Sequence, residues 1–131
     1  MIGLDTNILI RYVTWDDPVH SRKAAEVIER LLTPENPGFI SLVALVETVW
    51  VLGRRYGLSA QEIAGIVERL LQVETFVVQN EREVFQAMVA LRAGYTGFSD
   101  ALIGALGSWA GCSSTYTFDK KAARLDWFEI L

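Results

Sequence analysis

The chain has 131 residues, 51% of them apolar, with 12 Lys and Arg against 16 Asp and Glu, for a formal net charge of −4. That length fits one domain, residues 1–131, around a single core. No run reaches the roughly 18 uninterrupted apolar residues of a membrane helix, because the longest candidate, Phe39 to Gly53, is broken by Glu47.

The acidity argues at first against a nucleic-acid partner, since phosphate binding usually rests on a basic surface. Setting aside four acids discussed below leaves twelve acidic residues against twelve Lys and Arg, so the remaining surface is neutral. The charge is compatible with a nucleic-acid partner without suggesting one. The N-terminus shows no basic leader ahead of its apolar residues, and the single cysteine, Cys112, cannot form an internal disulfide. A cytoplasmic, reducing setting is therefore the expectation. The high apolar share predicts that part of the surface is covered by a second subunit or a partner.

Met1 to Leu4 reads as a short apolar strand ended by Asp5, and a helix is predicted from Thr6 to about Val13. Asp17-Pro18 is a helix cap followed by proline at the first helical position, opening a helix to about Leu32. Pro34 to Gly38 forms a tight loop, and Gly38 to Ser41 a brief strand. The apolar stretch from Leu42 to Tyr56 has helical spacing, with Gly57 as its stop. Ser59-Ala60-Gln61-Glu62 is a capping box that opens a helix to about Gln72. Thr75 to Val78 is β-branched and short, hence a strand. Asn80 to Glu83 repeats the capping logic before a helix ending near Ala93. Ser99 is predicted to cap a helix from Asp100 to about Gly111. Ser114 to Thr117 is a strand, Lys120 to Ala123 one helical turn, and Trp127 to Ile130 a last strand.

Strands alternating with helices imply an α/β fold with a parallel sheet covered on both faces. Sites in such folds gather beyond the carboxyl ends of the strands. Asp5 and Asp119 both follow predicted strands, which is the first hint of a shared site. Read alone, Asp5 caps a helix, Asp100 is a charge favoured at a helix N-terminus, and Asp119 is another cap. Glu47 is the sharper feature. Its neighbours from Leu42 to Leu52 are apolar except Thr48, and a buried unpaired carboxylate is costly unless it is neutralised or bound to metal. The plainer reading puts Glu47 on a solvent face beside Arg54. Four carboxylates at one sheet edge would repel each other without a cation, and hard oxygen ligands suit Mg²⁺ or Mn²⁺.

At these residues the chain resembles the PIN-domain ribonucleases, and specifically the VapC-type toxins of toxin–antitoxin pairs. Gly3-Leu4-Asp5-Thr6-Asn7-Ile8-Leu9 is similar to the family's opening motif, with its first metal-binding acid at Asp5. Ser41-Leu42-Val43-Ala44-Leu45-Val46-Glu47 is similar to the segment of the second acid. Phe98-Ser99-Asp100-Ala101-Leu102-Ile103 resembles the third motif, and Thr117-Phe118-Asp119-Lys120-Lys121-Ala122-Ala123 the fourth. The resemblance spans the chain and keeps the motif order.

It implies a three-layer α/β fold with a short central parallel sheet flanked by helices. It also implies a Mg²⁺- or Mn²⁺-dependent endoribonuclease that forms a homodimer and is inhibited by a cognate antitoxin. Asp5, Glu47, Asp100 and Asp119 would then be both metal ligands and catalytic groups, with Thr6, Asn7 and Thr117 supporting them. Arg11, Lys120, Lys121 and Arg124 are nearest the motifs among the basic residues, as guides for RNA or as plain surface. The one histidine, His20, excludes a two-histidine ribonuclease mechanism within one subunit. Trp15, Trp50, Trp109 and Trp127 are expected in the core or at an interface, and Trp50 is placed to wall the site.

Two other classes stay open. An aspartyl-phosphate phosphatase of the haloacid-dehalogenase type wants a second Asp two residues after the nucleophile, where this chain has Asn7. A catalytically silent interaction module would keep the fold without cleavage. A nuclease with a DNA substrate or a non-toxin role in RNA processing is a nearer variant.

Overall fold

The computed structural model describes all residues from Met1 to Leu131. Six α-helices and five short strands alternate along it, and every strand pairing is parallel, as the alternating pattern requires. The strands fall into two sheets, one of three strands and one of two. Asp5 and Asp119, expected at one sheet edge, therefore follow strands of different sheets. The chain divides into two units, Met1–Leu58 with Arg69–Gln79, and Ser59–Glu68 with Asn80–Leu131.

In the first unit, β1 (Ile2–Gly3), β2 (Gly38–Ile40) and β3 (Phe76–Val78) form the sheet in that order. β3 alternates in burial, with Phe76 and Val78 inside and Val77 out, which is the period-two signature of a strand. Gly38 at the centre of the sheet makes room for its neighbours. A Cβ there would lie 2.8 Å from the ends of both Leu4 and Leu32.

Helix α1 (Thr6–Thr14) buries Thr6, Leu9 and Ile10, one helical face. Helix α2 (Pro18–Glu26) opens on Asp17, whose side chain accepts the His20 N–H, as the Asp-Pro signal predicts. The helix expected to reach Leu32 does so by widening into a π-turn over Val27–Leu31, with the Leu32 N–H on the Val27 carbonyl. Helix α3 (Leu42–Arg54) is capped by the Ser41 hydroxyl, which accepts the Ala44 N–H at 3.1 Å. It ends two residues before Tyr56, and Gly57 then takes the left-handed φ of 64° that makes it a good stop.

The second unit begins with the predicted capping box. Glu62 accepts the Ser59 N–H and Ser59 accepts the Glu62 N–H, both at 3.1 Å, opening α4 (Ala60–Gln72). Arg92 binds Glu68 through two guanidinium nitrogens at 3.2 and 3.3 Å. Helices α5 (Glu81–Arg92) and α6 (Phe98–Trp109) supply the apolar centre, with Val84, Ala87, Met88, Ala101, Leu102 and Ala105 buried. The strands β4 (Thr115–Thr117) and β5 (Phe128–Ile130) pair beside them.

Two capping expectations are corrected here. Helix α6 starts at Phe98 with Gly97 at the cap position, so Ser99 lies inside the first turn and caps nothing. Asn80 stands at the α5 cap in a left-handed conformation without bonding the backbone; its amide donates to Glu83 at 3.0 Å instead. No helix is long and apolar enough to cross a membrane.

Candidate functional site

The first unit carries two of the four acids. Asp5 leaves β1 in extended backbone and caps α1, its Oδ1 accepting the Thr6 N–H at 2.8 Å. The positive end of the helix dipole favours a carboxylate at this point. Asp5 is exposed, and only Oδ1 is committed to the cap. The helix-cap reading is thus correct as geometry and leaves a free oxygen.

Glu47 is exposed on α3, which corrects the burial argument made from its apolar neighbours. The run from Leu42 to Leu52 buries Ala44, Leu45, Thr48, Val49 and Leu52 and turns Val43, Glu47 and Trp50 outward. Glu47 forms no ion pair with Arg54; the chain's ion pairs are Arg11–Asp16, His20–Asp17 and Arg92–Glu68.

Glu47 opens onto a cleft of about 290 Å³. Helix α1 contributes Thr6, Asn7, Ile10 and Arg11 to its lining, and α3 with its C-terminal end contributes Glu47, Trp50, Val51, Arg55 and Tyr56. The supporting residues expected beside Asp5 thus share a cleft with the second acid. Trp50 does wall it, and it is 57% exposed. None of the four tryptophans belongs to the core. Trp15, Trp50 and Trp109 are more than half exposed, and Trp127 is half-buried.

One wall of the cleft is fixed by a polar network that the sequence does not reveal. Arg11 Nη1 donates to Asp16 Oδ1 at 2.9 Å and to the Tyr56 hydroxyl at 3.4 Å. Tyr56 in turn donates to Asp16 Oδ2, and Thr14 donates to Asp16 Oδ1. The Tyr56 hydroxyl, followed by the Thr14 hydroxyl and Arg11, pulls the Asp16 carboxyl down to about 2. Asp16 holds the Arg11 guanidinium above its ordinary value by hydrogen bonding. Arg11, a candidate RNA guide in the sequence, is therefore already occupied.

The second unit carries the other two acids. Asp100 is in the first turn of α6 and half-buried, and it follows a cap residue that has no side chain. Asp119 is exposed and caps the turn after β4: its Oδ1 accepts the Lys121 N–H at 2.8 Å and the Ala122 N–H at 3.4 Å. The Thr117 hydroxyl accepts the Asp119 N–H at 3.0 Å, so Thr117 orients the residue whose support it was expected to provide. Lys120, Lys121 and Arg124 are exposed around it.

By donor chemistry each of the four acids suits a hard divalent cation. All offer carboxylate oxygens, none is in an ion pair, and Asp5 and Asp119 each commit only Oδ1 to a backbone cap. Neither unit by itself contains three or more His, Cys, Asp or Glu side chains placed to hold one ion.

Residues 2–128 match the family model of the PIN domain, a family whose members are typically nucleases that use divalent metals. The match contains all four acids and the whole of the cleft lining. No curated protein matches the chain.

Proposed function

Because the chain belongs to the PIN domain family, we propose that it is a metal-dependent endoribonuclease acting as the toxin of a type II toxin–antitoxin pair. The observation that carries the reading is the state of the four motif acids. Asp5, Glu47, Asp100 and Asp119 are all present within the matched span, and none is in an ion pair.

In this reading the four carboxylates are the ligands of Mg²⁺ or Mn²⁺. When bound, such a cation lowers the pKa of a coordinated water and neutralises charge on the scissile phosphate. The chain's own residues do the positioning. The cap bond from Thr6 fixes one oxygen of Asp5 and leaves the other for a ligand. The bonds from Lys121 and Ala122 do the same for Asp119. Asn7 lies in the lining of the Glu47 cleft with an amide able to donate and accept.

The expected partners are RNA as substrate, a second copy of the chain, and an antitoxin that covers the site. Large apolar side chains more than half exposed in each unit suit such coverage, among them Trp15, Val43 and Trp50 in the first and Ile103, Tyr116 and Phe118 in the second. The test is incubation of 5′-labelled RNAs with the purified chain and Mn²⁺, followed by analysis of the product ends. Internal cuts that leave 5′-phosphate and 3′-hydroxyl ends support hydrolysis by an activated water. A cyclic phosphate end, or a trappable phospho-enzyme, would contradict it.

A further inference from the structure

We propose that the cleft between α1 and α3 holds one unpaired nucleotide of the RNA, its base on the Trp50 indole and its phosphate on Arg55. The proposal rests on the nuclease reading and adds to it where an unpaired residue is seated.

The charges in the cleft single out Arg55. Its lining has two cations, Arg11 and Arg55, and Arg11 is held by Asp16 and Tyr56. Arg55 is exposed and belongs to no ion pair. It sits at the C-cap of α3, where the helix dipole favours a cation. An uncommitted guanidinium in a concave site is suited to bind a phosphate.

Trp50 supplies the second part. It is 57% exposed on a helix whose other face is well buried, so the core has no use for its ring. An exposed aromatic ring is a platform for an unstacked base, whereas a base within a duplex has no free face to offer. The cleft volume, about 290 Å³, is near the lower bound of about 300 Å³ for small-ligand pockets, which is room for one residue and not for a duplex. The Asn7 amide lines the same cleft from α1, with both a donor and an acceptor for a base edge. Glu47 lines the same cleft, so the nucleotide held there would be next to a carboxylate assigned to hydrolysis.

The test is titration of the full chain with a fluorescein-labelled, mixed-sequence single-stranded RNA in EDTA, followed by anisotropy. Trp50→Ala should weaken binding by roughly 5- to 150-fold, the range of losses when one stacked base loses its aromatic partner, and Trp50→Phe should restore most of it. Arg55→Ala should lower the slope of log Kd against log salt by about 0.7, the value of one phosphate contact on a single strand. Trp109→Ala, which removes an exposed tryptophan of the other unit, should bind as the wild type does.

Wild-type affinity in both Trp50→Ala and Arg55→Ala overturns the proposal, as does failure of the wild type to bind the single strand or equal binding of the matching duplex. So does unchanged RNA binding by Trp50→Ala with loss of a wild-type dimer on gel filtration, which would make the cleft a protein interface. The nuclease reading is separable, because a wild type that binds RNA in EDTA but lacks Mn²⁺-dependent cleavage would fail that reading and leave the binding result untouched.

Discussion

Tyr56 donates its hydroxyl to Asp16 across forty residues of sequence, tying the end of α3 to the loop after α1. The same carboxylate receives Arg11, so one exposed aspartate fixes a wall of the cleft that Glu47 opens onto. The contact has a consequence in pH. The Asp16 carboxyl is lowered from 3.8 to about 2, so the folded state favours its ionised form. The stability this confers is complete above about pH 4 and is lost as the pH falls toward 2. Tyr56→Phe removes the largest cause of the shift. The wild type should therefore lose more melting temperature between pH 5 and pH 2 than Tyr56→Phe does. Equal losses would show that the bond does not hold Asp16 ionised.

A ligand that binds only the folded chain raises its stability by mass action. If the acids hold Mn²⁺, a concentration a hundredfold above Kd should add about 2.7 kcal/mol to the free energy of unfolding. Melting curves with and without Mn²⁺ would show this as a rise of several degrees, absent in Asp100→Asn. No rise in the wild type would count against these residues as ligands.

Gly104 is packed so closely that a Cβ would lie 2.5 Å from the Phe128 ring and 3.1 Å from Trp127 Cβ. Alanine is favoured over glycine by about 1 kcal/mol within a helix, but overpacking typically costs about 1–3 kcal/mol. Gly104→Ala should therefore be net destabilising, by up to about 2 kcal/mol in urea unfolding. A more stable variant would mean that β5 yields freely against α6.

The helix and strand order is legible in the sequence because local chemistry marks the ends. Asp17-Pro18, the Ser59–Glu62 box and Gly57 each act within four residues of chain, and each does in the structure what its residue type predicts. Ser99 misleads because a serine next to the start of an apolar run looks like a cap, whereas Gly97 two residues earlier takes that position. The π-turn after α2 has no local sequence marker. The division of the strands into two sheets depends on pairing between distant segments, which alternation alone does not specify.

The candidate site was legible to a different degree. Its acids are conspicuous as residue types in ordered motifs, and Thr6 and Asn7 do line the Glu47 cleft. Of the two readings of Glu47, the solvent face was the right one, though the ion pair that Arg54 could have made there does not form. Asp16, Arg55 and Tyr56 carry no motif. Only the fold puts Arg11 and Tyr56 on one carboxylate. The single available signal was Trp50, one helical turn after Glu47.

The central claim is that these carboxylates hydrolyse RNA with the help of a divalent cation. It is tested most directly by cleavage of an RNA panel with Mn²⁺, Mg²⁺ or EDTA, comparing the wild type with Asp5→Asn. Asparagine keeps an oxygen to accept the Thr6 N–H, so the variant should fold normally. Loss of a ligand charge should cost several kcal/mol of transition-state stabilisation, on the order of a thousandfold in rate. The account predicts cleavage that requires metal, stops in EDTA and is reduced to that extent or beyond detection in Asp5→Asn. Cleavage that survives EDTA, or that Asp5→Asn performs as well as the wild type, would contradict it.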